Sequence, residues 1–98
     1  MSFFVEKSKN KIFRGSGNMV LLDVRSRQEY QEGHLNGAIN IPLYDINKDV
    51  SNILEDKNEK IVVYCQSGGR SIKAKQKLQE LGYTNVTDIA GGLDALNN

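Results

Sequence analysis

Ile61-Val62-Val63-Tyr64-Cys65-Gln66-Ser67-Gly68-Gly69-Arg70-Ser71 is an apolar run, a glycine-rich turn and an arginine, with the chain's only cysteine where the run ends. Lys60 to Tyr64 has the length and β-branched content of a buried strand. From Ser71 onward Ala74, Leu78 and Leu81 recur at helical spacing, with lysines and glutamines on the opposite face, and Gly82 is a suitable stop. Strand, tight turn and helix start together make a device for holding an anion, because successive backbone N–H groups in a turn converge and the helix adds unpaired donors and the positive end of its dipole.

The same alternation extends in both directions. Met19 to Val24 is nearly continuous apolar sequence interrupted by Asp23, as expected of a strand buried on both faces of a parallel sheet. Ser26, with Glu29 three residues on, forms a capping-box pattern and predicts a short helix from Arg27 to Glu32, stopped by Gly33. Ala38 to Ile41 reads as a short strand ending at Pro42. Residues 45–55 place Ile46, Val50, Ile53 and Leu54 at helical spacing, and Val86 to Ile89 reads as a last strand before Gly91-Gly92 and a stub, Leu93 to Leu96. Residues 5–14 show weak helical spacing around Val5, Ile12 and Phe13. Strands alternating with helices predict an α/β domain whose central, mostly parallel sheet is flanked by helices on both faces.

Composition narrows the functional classes. Ninety-eight residues suit one domain, 1–98, with a single modest core. A net charge of +1 gives no general attraction to nucleic acid or anionic membranes. One cysteine and one histidine argue against a disulfide framework and against a tetrahedral zinc site. Only Phe3, Phe4 and Val5 form an apolar run near the N-terminus, far short of a signal-peptide core or a membrane span, so the cytoplasm is the expected compartment.

Within the turn, Gly68 and Gly69 are expected to supply positive φ angles and close backbone approach. Arg70 offers a fixed charge and planar donors to an anionic substrate. These surroundings are expected to lower the Cys65 pKa from its reference of about 8.5. A buried cysteine packed as a small apolar residue is the plain alternative. Cysteine, two glycines, arginine and a helix start in this order argue against it.

Cys65-Gln66-Ser67-Gly68-Gly69-Arg70-Ser71 resembles the active-site loop of the rhodanese-like sulfurtransferases. Two more stretches resemble that family's other signatures. One runs from Leu21-Leu22-Asp23-Val24-Arg25 through Glu29-Tyr30 to Gly33-His34-Leu35-Asn36-Gly37-Ala38-Ile39-Asn40-Ile41-Pro42; the other is Ile89-Ala90-Gly91-Gly92-Leu93-Asp94-Ala95. The resemblance is clearest over residues 19–96. It implies a rhodanese-like fold and a ping-pong reaction. A donor such as thiosulfate leaves a persulfide on Cys65, and cyanide or a thiol removes the sulfur. It further implies that the amides from Gln66 to Ser71 cradle the persulfide, that Arg70 orients the donor, and that no metal or organic cofactor is needed. A small-molecule donor and acceptor, and a protein sulfur acceptor, are the implied partners.

Cysteine-dependent phosphatases resemble this arrangement too, but five residues separate their cysteine and arginine. Here only Gln66, Ser67, Gly68 and Gly69 intervene, a tighter ring suited to one terminal sulfur, and Tyr64 stands where those enzymes commonly have histidine. A non-enzymatic carrier or regulatory module is the other alternative, and retention of Cys65 in an intact loop favours catalytic competence. His34 is expected to pack and hydrogen-bond rather than act as a base. Asp23 and Arg25 are expected to pair and support the loop, Lys73, Lys75 and Lys77 to form a solvated face, and Tyr64 to be core. The family often opens with a helix introduced by a Ser-Pro-like cap, and residues 1–18 carry no clear sequence version of it. Leu96 stands where a tryptophan is common in the family, which leaves open the usual packing of the last helix against the sheet. Neither end is expected to touch the cysteine loop.

Overall fold

The computed structural model describes residues 5–6 and 19–96. In chain order the elements are β1 (Val5–Glu6), β2 (Met19–Asp23), α1 (Arg27–Glu32), β3 (His34–Leu35), β4 (Ile39–Asn40), a 3-10 turn (Leu43–Asp45), α2 (Ile46–Ile53), β5 (Lys60–Tyr64), α3 (Gly69–Glu80), β6 (Val86–Asp88) and α4 (Gly92–Leu96). Among the described residues, β4, β2, β5 and β6 lie side by side in that order and every pairing is parallel. β1 and β3 pair antiparallel in a separate ribbon.

Side chains alternate across the sheet, which explains the two nearly continuous apolar runs. Val20, Leu22 and Val24 from β2 and its end, with Ile61, Val63 and Cys65, point to one face. There they pack with Ile46 and Val50 of α2, Leu54 after it, and Ala74 and Leu78 of α3. Tyr64 points to the other face, where Leu21, Tyr30 of α1, and Leu93 and Leu96 of α4 cover it. Helices therefore cover both faces.

The strand order places the site. From β2 the chain steps outward to β4, then crosses back to β5 and continues outward the other way to β6. The direction reverses between β2 and β5, and ligands in open α/β sheets collect in the crevice beyond the carboxyl ends of such a pair. Register pairs Asp23 with Tyr64, so the chain leaves both strands side by side. Arg25 and Cys65 follow directly.

Local chemistry sets most boundaries. The predicted capping box is complete: the Glu29 N–H donates to Ser26 Oγ at 3.1 Å and the Ser26 N–H donates to Glu29 Oε1 at 3.0 Å. α1 spans the predicted residues, and β5 likewise. α3 starts at Gly69, two residues before the expected start at Ser71, because Gly68 adopts φ +111° and serves as N-cap. α2 is shorter than the predicted 45–55 because a 3-10 turn precedes it, and Ile53 is left exposed while Leu54 is buried. The helical reading of 5–14 is corrected at Val5–Glu6, which is strand; residues 7–18, and with them the question of an opening helix, lie outside the described residues.

The last helix packs against the sheet. Leu93 and Leu96 join the apolar cluster around Tyr64, so a leucine at position 96 still covers that face. His34 is buried, stacks on Tyr30 with ring centroids 3.7 Å apart, and donates from Nδ1 to the Tyr30 carbonyl at 2.8 Å. Its role is packing, as the sequence indicated.

Leu78 is fully buried and Ile72, on the same helix, is half exposed. In urea titrations, Leu78→Ala is expected to cost about 2–5 kcal/mol, while Ile72→Ala stays within about 0.5 kcal/mol of the parent.

Candidate active site

Cys65 is the first residue after β5, 1 % exposed, with its sulfur under the start of α3. The Gly68 N–H donates to Sγ at 3.0 Å and the Ser71 N–H at 3.4 Å. The Ser71 hydroxyl donates to the Gly68 carbonyl at 3.1 Å and locks the turn that aims these amides. Burial pushes the thiol pKa up. The N–H and hydroxyl of Ser71 and the N–H groups of Gly68 and Ser67 push it down, and they prevail, leaving the thiol below its ordinary value.

Gly68 alone of the two loop glycines needs its freedom. Gly69 is not left-handed, and a Cβ there would meet nothing within 4 Å, which corrects the expectation that both adopt positive φ.

The expected pairing of Asp23 with Arg25 is present. Arg25 Nε donates to both Asp23 carboxylate oxygens at 3.1 Å and Nη2 donates to Oδ2 at 2.8 Å. The buried Asp23 also accepts the Arg25 backbone N–H at 2.9 Å. Tyr64 is core, yet its hydroxyl accepts from the Leu35 N–H at 3.1 Å, and burial raises its pKa. Arg25 Nη2 donates to the Gly33 carbonyl at 2.6 Å, and Nη1 reaches Gln66 Oε1 at 3.5 Å. Removing one partner from such a buried pair costs about 3–5 kcal/mol, because the other charge is left uncompensated.

This fold and this loop match one family description, Rhodanese-like domain, over residues 6–98. The chain belongs to that family.

The rhodanese-like chain is 46% identical over 72 residues to thiosulfate sulfurtransferase PspE of Escherichia coli, covering 74% of this chain and 68% of that protein. It is 42% identical over 84 residues to the adenylyltransferase and sulfurtransferase UBA4 of Candida glabrata, covering 76% of this chain but 19% of that protein. A solved rhodanese with anions from E. coli superposes with a TM-score of 0.70 at 43% identity, covering 78% of this chain and 88% of that one. The chain is a rhodanese-type enzyme, with a sulfurtransferase role.

Two features of this rhodanese-like site escape the sequence. The first is Glu29. Arg70 donates from Nη1 to Glu29 Oε1 at 2.7 Å and from Nη2 to Oε2 at 3.1 Å, a two-point ion pair. Arg70 holds the Glu29 carboxyl down at about 2; burial opposes this and the Ser26 cap adds to it. The capping box made Glu29 visible as a helix signal, but nothing in the sequence tied it to a residue 41 positions away.

The second is the C-terminal turn, and it overturns the expectation that neither end touches the loop. The Leu93 N–H donates to the Cys65 carbonyl at 3.0 Å and the Asp94 N–H donates to the Gln66 carbonyl at 2.9 Å. Gln66 Nε2 donates to Asp94 Oδ1 at 2.7 Å. Gly92 has φ +62°, and a Cβ there would overlap the Cys65 carbonyl oxygen and lie 2.8 Å from the Gln66 carbonyl. The loop is therefore gripped through its sulfur by α3 and through its carbonyls by α4.

Other regions add little. A depression of about 320 Å³ lined by Arg27, Tyr30, Gln31, Ile39 and Asn40 includes no residue of the cysteine loop. Among the described residues no cluster of His, Cys, Asp and Glu could hold a metal ion. None of the described helices is long and apolar enough to cross a membrane. Lys73 is exposed, and Lys75 lies 3.9 Å from Asp88.

Gly92→Ala is expected to lower stability by on the order of 1–3 kcal/mol, from left-handed strain and the clash with the loop. Gly69→Ala, by contrast, should leave the melting temperature unchanged or raise it, since alanine is the better helix former. Thermal unfolding of the two variants checks this.

Proposed function

We propose that this rhodanese-like enzyme transfers sulfane sulfur through a persulfide on Cys65, with thiosulfate as donor and cyanide or a thiol as acceptor. The Cys65 thiolate attacks the outer sulfur of thiosulfate. The Cys–S bond forms as the donor's S–S bond breaks, and sulfite leaves with the bonding pair. The acceptor then attacks the outer sulfur of the persulfide: cyanide becomes thiocyanate, and Cys65 leaves as thiolate. No net oxidation is needed, and covalent transfer through a thiolate requires neither metal nor organic cofactor.

The observation that carries this reading is the convergence of the Gly68 and Ser71 amides on Sγ. The amides from Gln66 to Ser71 form the cradle for the terminal sulfur, and the four-residue spacing between Cys65 and Arg70 keeps that cradle smaller than a phosphate site would need. Arg70 supplies the charge that orients the donor, while Asp23 and Arg25 support the loop. A catalytic thiol that must return to its free state after each cycle suits the cytoplasm.

A second reading has one observation in its favour. The similarity to a short part of UBA4 points to a protein as sulfur acceptor. It uses the same persulfide and differs in the second half-reaction.

Intact-mass spectrometry after exposure to thiosulfate, polysulfide or a low-molecular-weight persulfide tests the reading. The wild type should gain one sulfur atom, removable by cyanide, and Cys65→Ser should gain none. A wild type that gains no sulfur from any of the three donors contradicts the proposal.

A further inference from the structure

The Glu29–Arg70 pair has an unusual position. α1 covers the Tyr64 face of the sheet through Tyr30, and α3 covers the Cys65 face through Ala74 and Leu78. An ion pair from the first turn of one to the first turn of the other must cross the carboxyl-terminal edge of the sheet, where Cys65 opens its loop. Both side chains remain in partial contact with water, 33% exposed for Glu29 and 39% for Arg70. A pair at this depth is weak enough to exchange, unlike the buried Asp23–Arg25 pair.

Glu29 is also preorganised. Its Oε1 accepts from both the Ser26 N–H and Arg70 Nη1, so the capping box fixes the carboxylate before the arginine arrives. When Arg70 leaves, Glu29 keeps its cap and helix α1 keeps its start. The terminal nitrogens of the guanidinium are both engaged by Glu29.

We propose that Glu29 is a positioning residue that holds Arg70 in the resting enzyme and yields it to the anionic sulfur donor. The donor competes with the carboxylate for the guanidinium, and a doubly charged donor competes better than a singly charged one. Glu29 thus sets how strongly the enzyme selects donors by charge. This rests on the reading that the donor is an anion bound at Arg70.

The test is Glu29→Gln, because glutamine still accepts the Ser26 N–H in a capping box but carries no charge to hold Arg70. Steady-state kinetics separate the two halves of a ping-pong cycle. With thiosulfate, a dianion, kcat/KM for the donor should rise about two- to fivefold, the size of a half-exposed ion pair. Methanethiosulfonate, a monoanion that transfers the same outer sulfur and leaves as methanesulfinate, should gain less. The kcat/KM for cyanide should not move. In an Arg70→Ala background the gain from Glu29→Gln should vanish.

An unchanged or lowered kcat/KM for thiosulfate overturns the proposal, as does an equal gain with both donors. A gain that persists without Arg70 also overturns it, since Glu29 would then act only through its field. If no sulfur reaches Cys65 of the wild type from either donor, the anionic-donor reading itself fails and the proposal falls with it.

Discussion

Two backbone N–H groups, from Gly68 and Ser71, converge on a sulfur atom that is almost wholly removed from water. Burial alone would keep that thiol protonated and inert. Fixed amide dipoles reverse the balance, because they stabilise an anion without a counter-charge that would compete with substrate. Both amides belong to the main chain, so their aim depends on the path of the backbone. That path has to be held from outside the loop.

Three attachments hold it. β5, central in the sheet, delivers Cys65 at the point where strand order reverses. α4 ties the Cys65 and Gln66 carbonyls from the C-terminal side, and only a glycine at position 92 lets it come so close. The buried Asp23–Arg25 pair anchors the end of β2 and reaches both Gly33 and Gln66. Gln66 stands between Arg25 and Asp94, linking two of these attachments through one side chain. The arrangement leaves Arg70, at the rim, as the charged group free of any buried anchor.

What the sequence shows clearly is whatever is local. Nearly continuous apolar runs mark β2 and β5, Ser26 and Glu29 mark α1 to the residue, and the order Cys65, Gly68, Arg70 marks the loop. The three-motif resemblance named the right family, whose description matches residues 6–98. What stayed hidden joins residues far apart in the chain. Glu29 meets Arg70 only because α1 and α3 begin at the same end of the sheet, and no periodicity reports that. Gly91-Gly92 looked like a turn into a stub because its reason, contact with the Cys65 and Gln66 carbonyls, is tertiary. Gly69 misled in the opposite sense: it looks like a turn residue but begins a helix.

The loop amides lower the Cys65 thiol pKa against the opposing effect of burial, and the thiol's own titration tests this most directly. Thiolate absorbance in the ultraviolet, followed against pH with Cys65→Ser as the blank, gives the midpoint of the sole cysteine. The folded state favours the thiolate, so the midpoint should lie below that of an unperturbed thiol, about 8.5. Thiolate should then be lost only as pH falls through that lowered value. A midpoint at or above the ordinary thiol value would mean that burial outweighs the amides, and it would contradict the account.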